Sequence, residues 1–129
     1  MELSLHPSNP HRTATEVGVI TAIAGAALLA APGPVGRRSW LTDPRHAVAV
    51  GATDAVIAAG LLLDRRRRSR WLMARVGANV GTAALFATIA RNGPPTVGPA
   101  AVAGSLLAIS LVDGGAARAL AAEERAARS

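Results

Sequence analysis

The chain has 129 residues, of which 50% are apolar and only 2% aromatic, and its formal net charge is +6. Soluble cores of this size usually depend on large aromatic side chains, and one Phe, two Trp and no Tyr do not supply them. The apolar residues are mostly Ala, Leu, Val, Ile and Gly, which suit helices that pack closely in lipid. Because the chain has no Cys, disulfides, thiolate metal sites and thiol redox chemistry are excluded.

Four apolar segments lie along the chain, separated by stretches rich in Arg, Pro or Gly. A helix needs about 20 residues to cross the hydrocarbon core of a bilayer, so flanking residues must extend the shorter segments. The sequence therefore predicts an all-α fold, an integral membrane bundle of four transmembrane helices. The predicted helices span about residues 13–31, 44–63, 70–91 and 97–115 of a transmembrane domain at 13–117, flanked by polar tails at 1–12 and 118–129. The C-terminal tail is expected to be either a polar helix or a frayed end.

Capping residues and prolines indicate where these helices begin. Thr13 and Glu16 have the S/T-x-x-E spacing of a capping box, which predicts that the first helix begins near Thr13. Asp43 followed by Pro44 matches an N-cap and the first residue of the second helix. Ser69 is the expected N-cap of the third helix.

The distribution of Arg predicts the orientation of the bundle, because cytoplasmic loops carry an excess of basic residues. Five Arg lie within residues 64–70, so we expect this loop, and with it both termini, in the cytoplasm. All 14 basic residues are Arg, and together with the many Ala and Gly this composition suggests a bacterial source. The predicted location is a bacterial inner membrane, which the chain crosses four times.

Polar residues within the apolar segments form a candidate intramembrane seam. Asp54 lies about 15 Å from the cytoplasmic end of its helix, near the middle of the bilayer. Arg75 and Asp113 share a depth about one turn from the cytoplasmic end, and Asn79 follows Arg75 on the same helix face. Such groups either specify helix packing through hydrogen bonds or, centred on Asp54, form a proton or cation relay.

Small residues at a spacing of four mark candidate helix-packing faces. Gly77 and Gly81 form a GxxxG element in the third helix, and Ala100 and Gly104 repeat the spacing in the fourth. These faces serve either packing within the chain or contact between two copies. We therefore expect membrane partners, a second copy or another membrane protein, in addition to lipid.

The Arg-rich loop offers candidate contacts for anionic lipid headgroups. A nucleic-acid interpretation of the same run is less favoured, because a position beside a membrane segment explains it through topology alone. The three His, at positions 6, 11 and 46, form no metal-binding pair at helical spacing. The candidate lipid contacts are Arg65, Arg66, Arg67, Arg68 and Arg70.

Part of the chain, from about residue 45 to residue 114, carries a pattern of an Arg, a helix with Gly and an acidic residue, an aliphatic end and a basic loop. The residues concerned are Arg45, His46, Ala47, Gly51, Asp54, Gly60 to Leu63, Arg70, Trp71, Arg75, Asp113 and Gly114. The pattern resembles small four-helix bacterial membrane proteins of the broad DoxX-like type. The resemblance implies a four-helix bundle and little about chemistry. Because the chain has no Cys, it cannot carry out the thiol oxidation proposed for some relatives.

No nucleophile elbow, phosphate loop, zinc motif or nucleotide fingerprint occurs in the sequence. We therefore expect no catalytic residues, no cofactor and no metal site. The first functional expectation is a non-enzymatic structural or accessory membrane protein that interacts through its small-residue helix faces. The alternative is a small proton- or cation-coupled transporter that uses Asp54.

Overall fold

The computed structural model describes residues 9–129, in which all regular structure is helical. Four of the helices are long and apolar enough to cross a membrane, which confirms the predicted all-α chain with four long apolar helices. The elements are α1 (Pro10–Ala30), the short α2 (Pro32–Arg38), α3 (Pro44–Leu63), a 3-10 turn (Arg65–Arg67), α4 (Arg68–Asn92) and α5 (Val97–Ala126).

The first helix begins before Thr13, so the capping-box prediction is wrong. α1 starts at Pro10, and the side chain of Asn9 accepts a hydrogen bond from the His11 backbone N–H at 3.0 Å. Glu16 does not reach back to a helix end, because its carboxylate accepts from the Arg12 guanidinium at 2.7 Å. Asn is as good an N-cap as Thr, and the proline that follows it favours the first helical position.

The last helix extends well beyond the predicted end at residue 115. α5 continues to Ala126, so most of the predicted polar C-terminal tail is helical. Leu120 is fully buried there, and Glu124 contacts the start of α4. These long-range contacts stabilise a segment that looks polar in sequence. Of the predicted N-terminal tail, residues 1–8, which include His6, lie outside the described residues.

The bundle consists of two antiparallel helix pairs. α1 packs mainly against α3, and α4 packs mainly against α5, whereas α3 and α4 contact each other more sparsely. The α1–α3 crossing is close because glycines face each other: a Cβ on Gly25 would lie 2.9 Å from the carbonyl oxygen of Gly51. Absence of a side chain at such a crossing lets two backbones approach.

The start of α1, the 3-10 turn and the end of α5 lie together at one end of the bundle, called here the Arg-turn end. His11 bonds Glu123 across the two termini, at 2.9 Å. One hydrophobic cluster fills this end and a second fills the opposite end, around Leu28 and Phe86. Each end also carries one Trp whose ring lies where a Cβ would be, over Gly60 for Trp71 and over Gly98 for Trp40.

Candidate functional site

A buried ion pair joins α4 to α5 inside the apolar part of the bundle. The Arg75 guanidinium donates to the carboxylate of Asp113, whose side chain is 1% exposed against 12% for Arg75. Both residues lie seven or more positions inside their helices, in segments apolar enough to cross a membrane. A charge in such surroundings is tolerated when an opposite charge and hydrogen bonds surround it.

Further polar groups from α1 and α4 complete the surroundings of this ion pair. The Arg75 Nε donates to the hydroxyl oxygen of Thr21 at 3.0 Å, and Asn79 Nδ2 approaches the Asp113 carboxylate at 3.5 Å. Sequence reasoning missed Thr21. The spacing of residues could have indicated its position: Thr21 follows Gly18 by three residues and precedes Gly25 by four, so all three lie on one face of α1.

Asp54, which was predicted to belong to the same seam, lies near this network without contacting it, and the Arg75 guanidinium acts on its carboxylate only at a distance. Its Cβ lies at the α1–α3 crossing, 3.1 Å from where a Cβ on Gly25 would be. Within residues 9–129 its half-buried carboxylate has no ion-pair or hydrogen-bond partner. The side chain opens onto a shallow groove of about 230 Å³ between α3 and α4, lined by Ala49, Val50, Thr53, Ala78, Gly81, Thr82 and Leu85.

The region therefore contains two carboxylates and one guanidinium. Arg75 contacts Asp113 directly and acts on Asp54 only at a distance, so among the described residues the Asp54 carboxylate is the one without a contacting cation. A carboxylate beside a groove in apolar surroundings can be neutralised by a proton, by a cation, or by a donor from another molecule. Arg75 and Asp113 are thus joined by direct contact, whereas Asp54 has no contacting cation among the described residues, although the sequence had placed all three in one seam.

The predicted small-residue packing faces do not pack within the chain. Gly77, Gly81, Ala100 and Gly104 are all exposed. A Cβ added to any of the three glycines would have no neighbour within 4 Å among the described residues. Of the two uses left open by the sequence, packing within the chain is thus contradicted for the described residues.

The structure places the five predicted lipid contacts in two groups, exposed and buried. Arg65, Arg66, Arg67 and Arg70 are exposed, but Arg68 is only 5% exposed, and the prediction of a lipid contact there is wrong. Arg68 instead donates to the carbonyl oxygen of Leu61 at 3.0 Å and to that of His11 at 3.2 Å. Its guanidinium thus satisfies a carbonyl near the end of α3, where cations are favoured, and joins α3 to α1.

The start of α4 is capped from another helix rather than by Ser69. Ser69 is the second helical residue, and its backbone N–H donates to Glu124 Oε1 at 3.1 Å. The Ser69 hydroxyl donates to Glu124 Oε2 at 2.6 Å. A carboxylate at a helix N-terminus satisfies free N–H groups and interacts favourably with the helix dipole. The N-cap prediction for Ser69 is therefore wrong, and Glu124 holds the end of α5 against α4.

The fold and the buried ion pair define the class of this protein as a four-helix bundle with a polar centre inside apolar helices. In the described part of the chain, 9–129, no three His, Asp or Glu side chains are grouped to hold a metal ion. No family model, curated protein or solved structure matches the chain.

Proposed function

We propose that the chain is an integral protein of a bacterial inner membrane, with both termini in the cytoplasm, and that it is related to the DoxX-like proteins. Four long apolar helices support membrane insertion, and most of the Arg residues lie at the Arg-turn end of the bundle. α1 and α3 are antiparallel, as are α4 and α5. Each pair therefore crosses the membrane and returns, which places both termini on the same side.

This orientation predicts the outcome of cysteine labelling, for which the natural chain offers no background thiol. A cysteine in place of exposed Arg66 should react with an impermeant maleimide only after the cells are opened. The matched variant is Arg91→Cys, an exposed site near the opposite end of α4, which should react in intact cells. Labelling of Arg66→Cys in intact cells would overturn the proposed orientation.

Within the membrane, we propose a non-enzymatic accessory function in which the α3–α4 groove and the adjoining face of α4 bind a further transmembrane helix. The observation that carries this proposal is the outward position of Gly77 and Gly81, with open space where a partner backbone can approach. Gly81 lines the groove that holds Asp54, so a helix seated there would also cover the unpaired carboxylate. A second copy of this chain is the first partner to test.

A second candidate function rests on a different observation, the unpaired carboxylate of Asp54 beside an open groove. A partly buried acid near the middle of apolar helices can take up and release a proton or a cation, as proton relays in transporters do. In this alternative the protein couples the movement of a solute to that exchange. The ion pair between Arg75 and Asp113 is structural in both proposals.

One experiment distinguishes these functions by measuring self-association and pH-driven ion flux of the purified protein in vesicles. Gly81→Leu should lower self-association about tenfold, equivalent to about 1.4 kcal/mol, because the side chain fills the docking face. Gly115→Leu is the matched control, since Gly115 is also exposed with open space around it, but lies on α5. Asp54→Asn should leave flux unchanged if the function is accessory.

The outcomes separate cleanly. Self-association that is absent, or that Gly81→Leu and Gly115→Leu weaken equally, would contradict the docking face. Flux that wild-type protein supports and Asp54→Asn abolishes would establish the transporter alternative in its place, because Asn keeps the size of the side chain but cannot ionise.

A further inference from the structure

A second groove lies between α4 and α5 near the Arg-turn end, away from Asp54. It encloses about 390 Å³, and Arg70 and Arg118 both contribute to its walls. The remaining lining residues are Ser69, Met73, Ala117 and Ala121. Two cations thus stand beside a largely apolar channel on the outside of the bundle.

The two Arg share one depth because of the helix pairing. α4 and α5 are antiparallel and are held in register by the Arg75–Asp113 ion pair. Arg70 precedes Arg75 by five residues and Arg118 follows Asp113 by five, so each lies about 7.5 Å nearer the Arg-turn end. Both guanidiniums therefore reach the same level of the bundle, where an apolar segment gives way to the polar end.

Neither guanidinium forms an ion pair with another residue of the part of the chain that the structure describes. Both side chains are exposed, and neither Arg70 nor Arg118 takes part in the ion pairs formed within residues 9–129. Glu124, which contacts Ser69 in the wall of the groove, accepts from the backbone N–H and hydroxyl of Ser69 and also pairs with Arg128. The walls consequently present positive charge that no carboxylate of the described residues pairs with.

We propose that this groove is a binding site for one anionic glycerophospholipid, and refer to it as the Arg70–Arg118 groove. The phosphate of the headgroup lies between the two guanidiniums, which bind phosphate oxygens through paired N–H donors. An acyl chain runs from there along the apolar wall formed by Met73 and the alanines. The proposal is independent of the orientation of the bundle and of the function proposed for the α3–α4 groove.

The test uses the full-length protein in micelles and counts bound phosphatidylglycerol by native mass spectrometry. The double variant Arg70→Gln/Arg118→Gln should bind this lipid about 25-fold more weakly, about fivefold for each guanidinium–phosphate contact that is lost. The matched control is Arg65→Gln/Arg66→Gln, which removes the same charge from exposed positions outside the groove. It should weaken binding no more than about twofold.

Two further measurements separate a lipid site from simpler explanations. Ala121→Phe keeps every charge but fills the apolar wall, and it should displace the lipid about as strongly as loss of both Arg. Inorganic phosphate in excess should fail to compete with phosphatidylglycerol. Equal losses in the groove variant and the loop control, or full displacement by inorganic phosphate, would overturn the proposal.

Discussion

Replacing Arg75 with Met should lower the free energy of unfolding by about 3–5 kcal/mol, the usual cost of removing one partner of a buried ion pair. The carboxylate of Asp113, which is 1% exposed, would lose its only charged partner among the described residues. Thr21 would also lose the donor that its hydroxyl oxygen accepts from. Reversible unfolding in mixed micelles of a mild detergent and dodecyl sulfate, followed by circular dichroism, measures the loss.

The matched control for this change removes both charges. Arg75→Met combined with Asp113→Leu should recover most of the lost stability, because apolar residues of similar volume often replace a buried ion pair without net cost. A double variant as unstable as the single one would show that the loss came from packing around Arg75. The buried charge would then not be the cause.

The number and approximate position of the long helices could be predicted because hydropathy and proline placement act locally. The ends were less predictable where they depend on distant residues. The end of α5 at Ala126 is stabilised by Leu120 in the core and by Glu124 against Ser69, contacts that span more than fifty positions. A local pattern contains no record of such contacts, so the sequence left this polar tail open as either a helix or a frayed end.

The polar site was only partly predictable, because depth along a helix follows from residue number whereas its rotation does not. Counting residues placed Arg75 and Asp113 at one level, where the structure pairs them. The same counting could not show that Asp54 faces the α3–α4 groove or that Arg68 turns inward to Leu61. In helices rich in Ala and Gly, apolar residues occur on every face and leave the rotation unspecified.

The glycines illustrate the same limit. The GxxxG spacing of Gly77 and Gly81 indicated a packing face, yet these residues point away from the other helices. The α1–α3 crossing uses Gly25 and Gly51 instead, single glycines on two different helices that no spacing rule connects. Which glycines are needed within the fold is decided by where the helices cross, and that is a property of the assembled bundle.

Gly25→Val should therefore be among the most destabilising single changes, lowering the free energy of unfolding by about 3 kcal/mol. Its Cβ would lie 2.9 Å from the Gly51 carbonyl oxygen and 3.0 Å from the Ala55 backbone nitrogen. Because both atoms belong to the backbone, no side-chain rotation can relieve the clash, and α1 must move away from α3. The same micellar unfolding titration measures this loss.

Gly115→Val is the control for this change, since it adds the same β-branched side chain to an exposed position in α5 with open space around it. Its effect should stay within about 0.5 kcal/mol. Gly25 also lies four residues from Thr21 and beside Asp54, so displacement of α1 should break the hydrogen bond from Arg75 to Thr21. If Gly25→Val is no more costly than Gly115→Val, the two helices do not cross at these glycines, and the groove beside Asp54 must be placed differently.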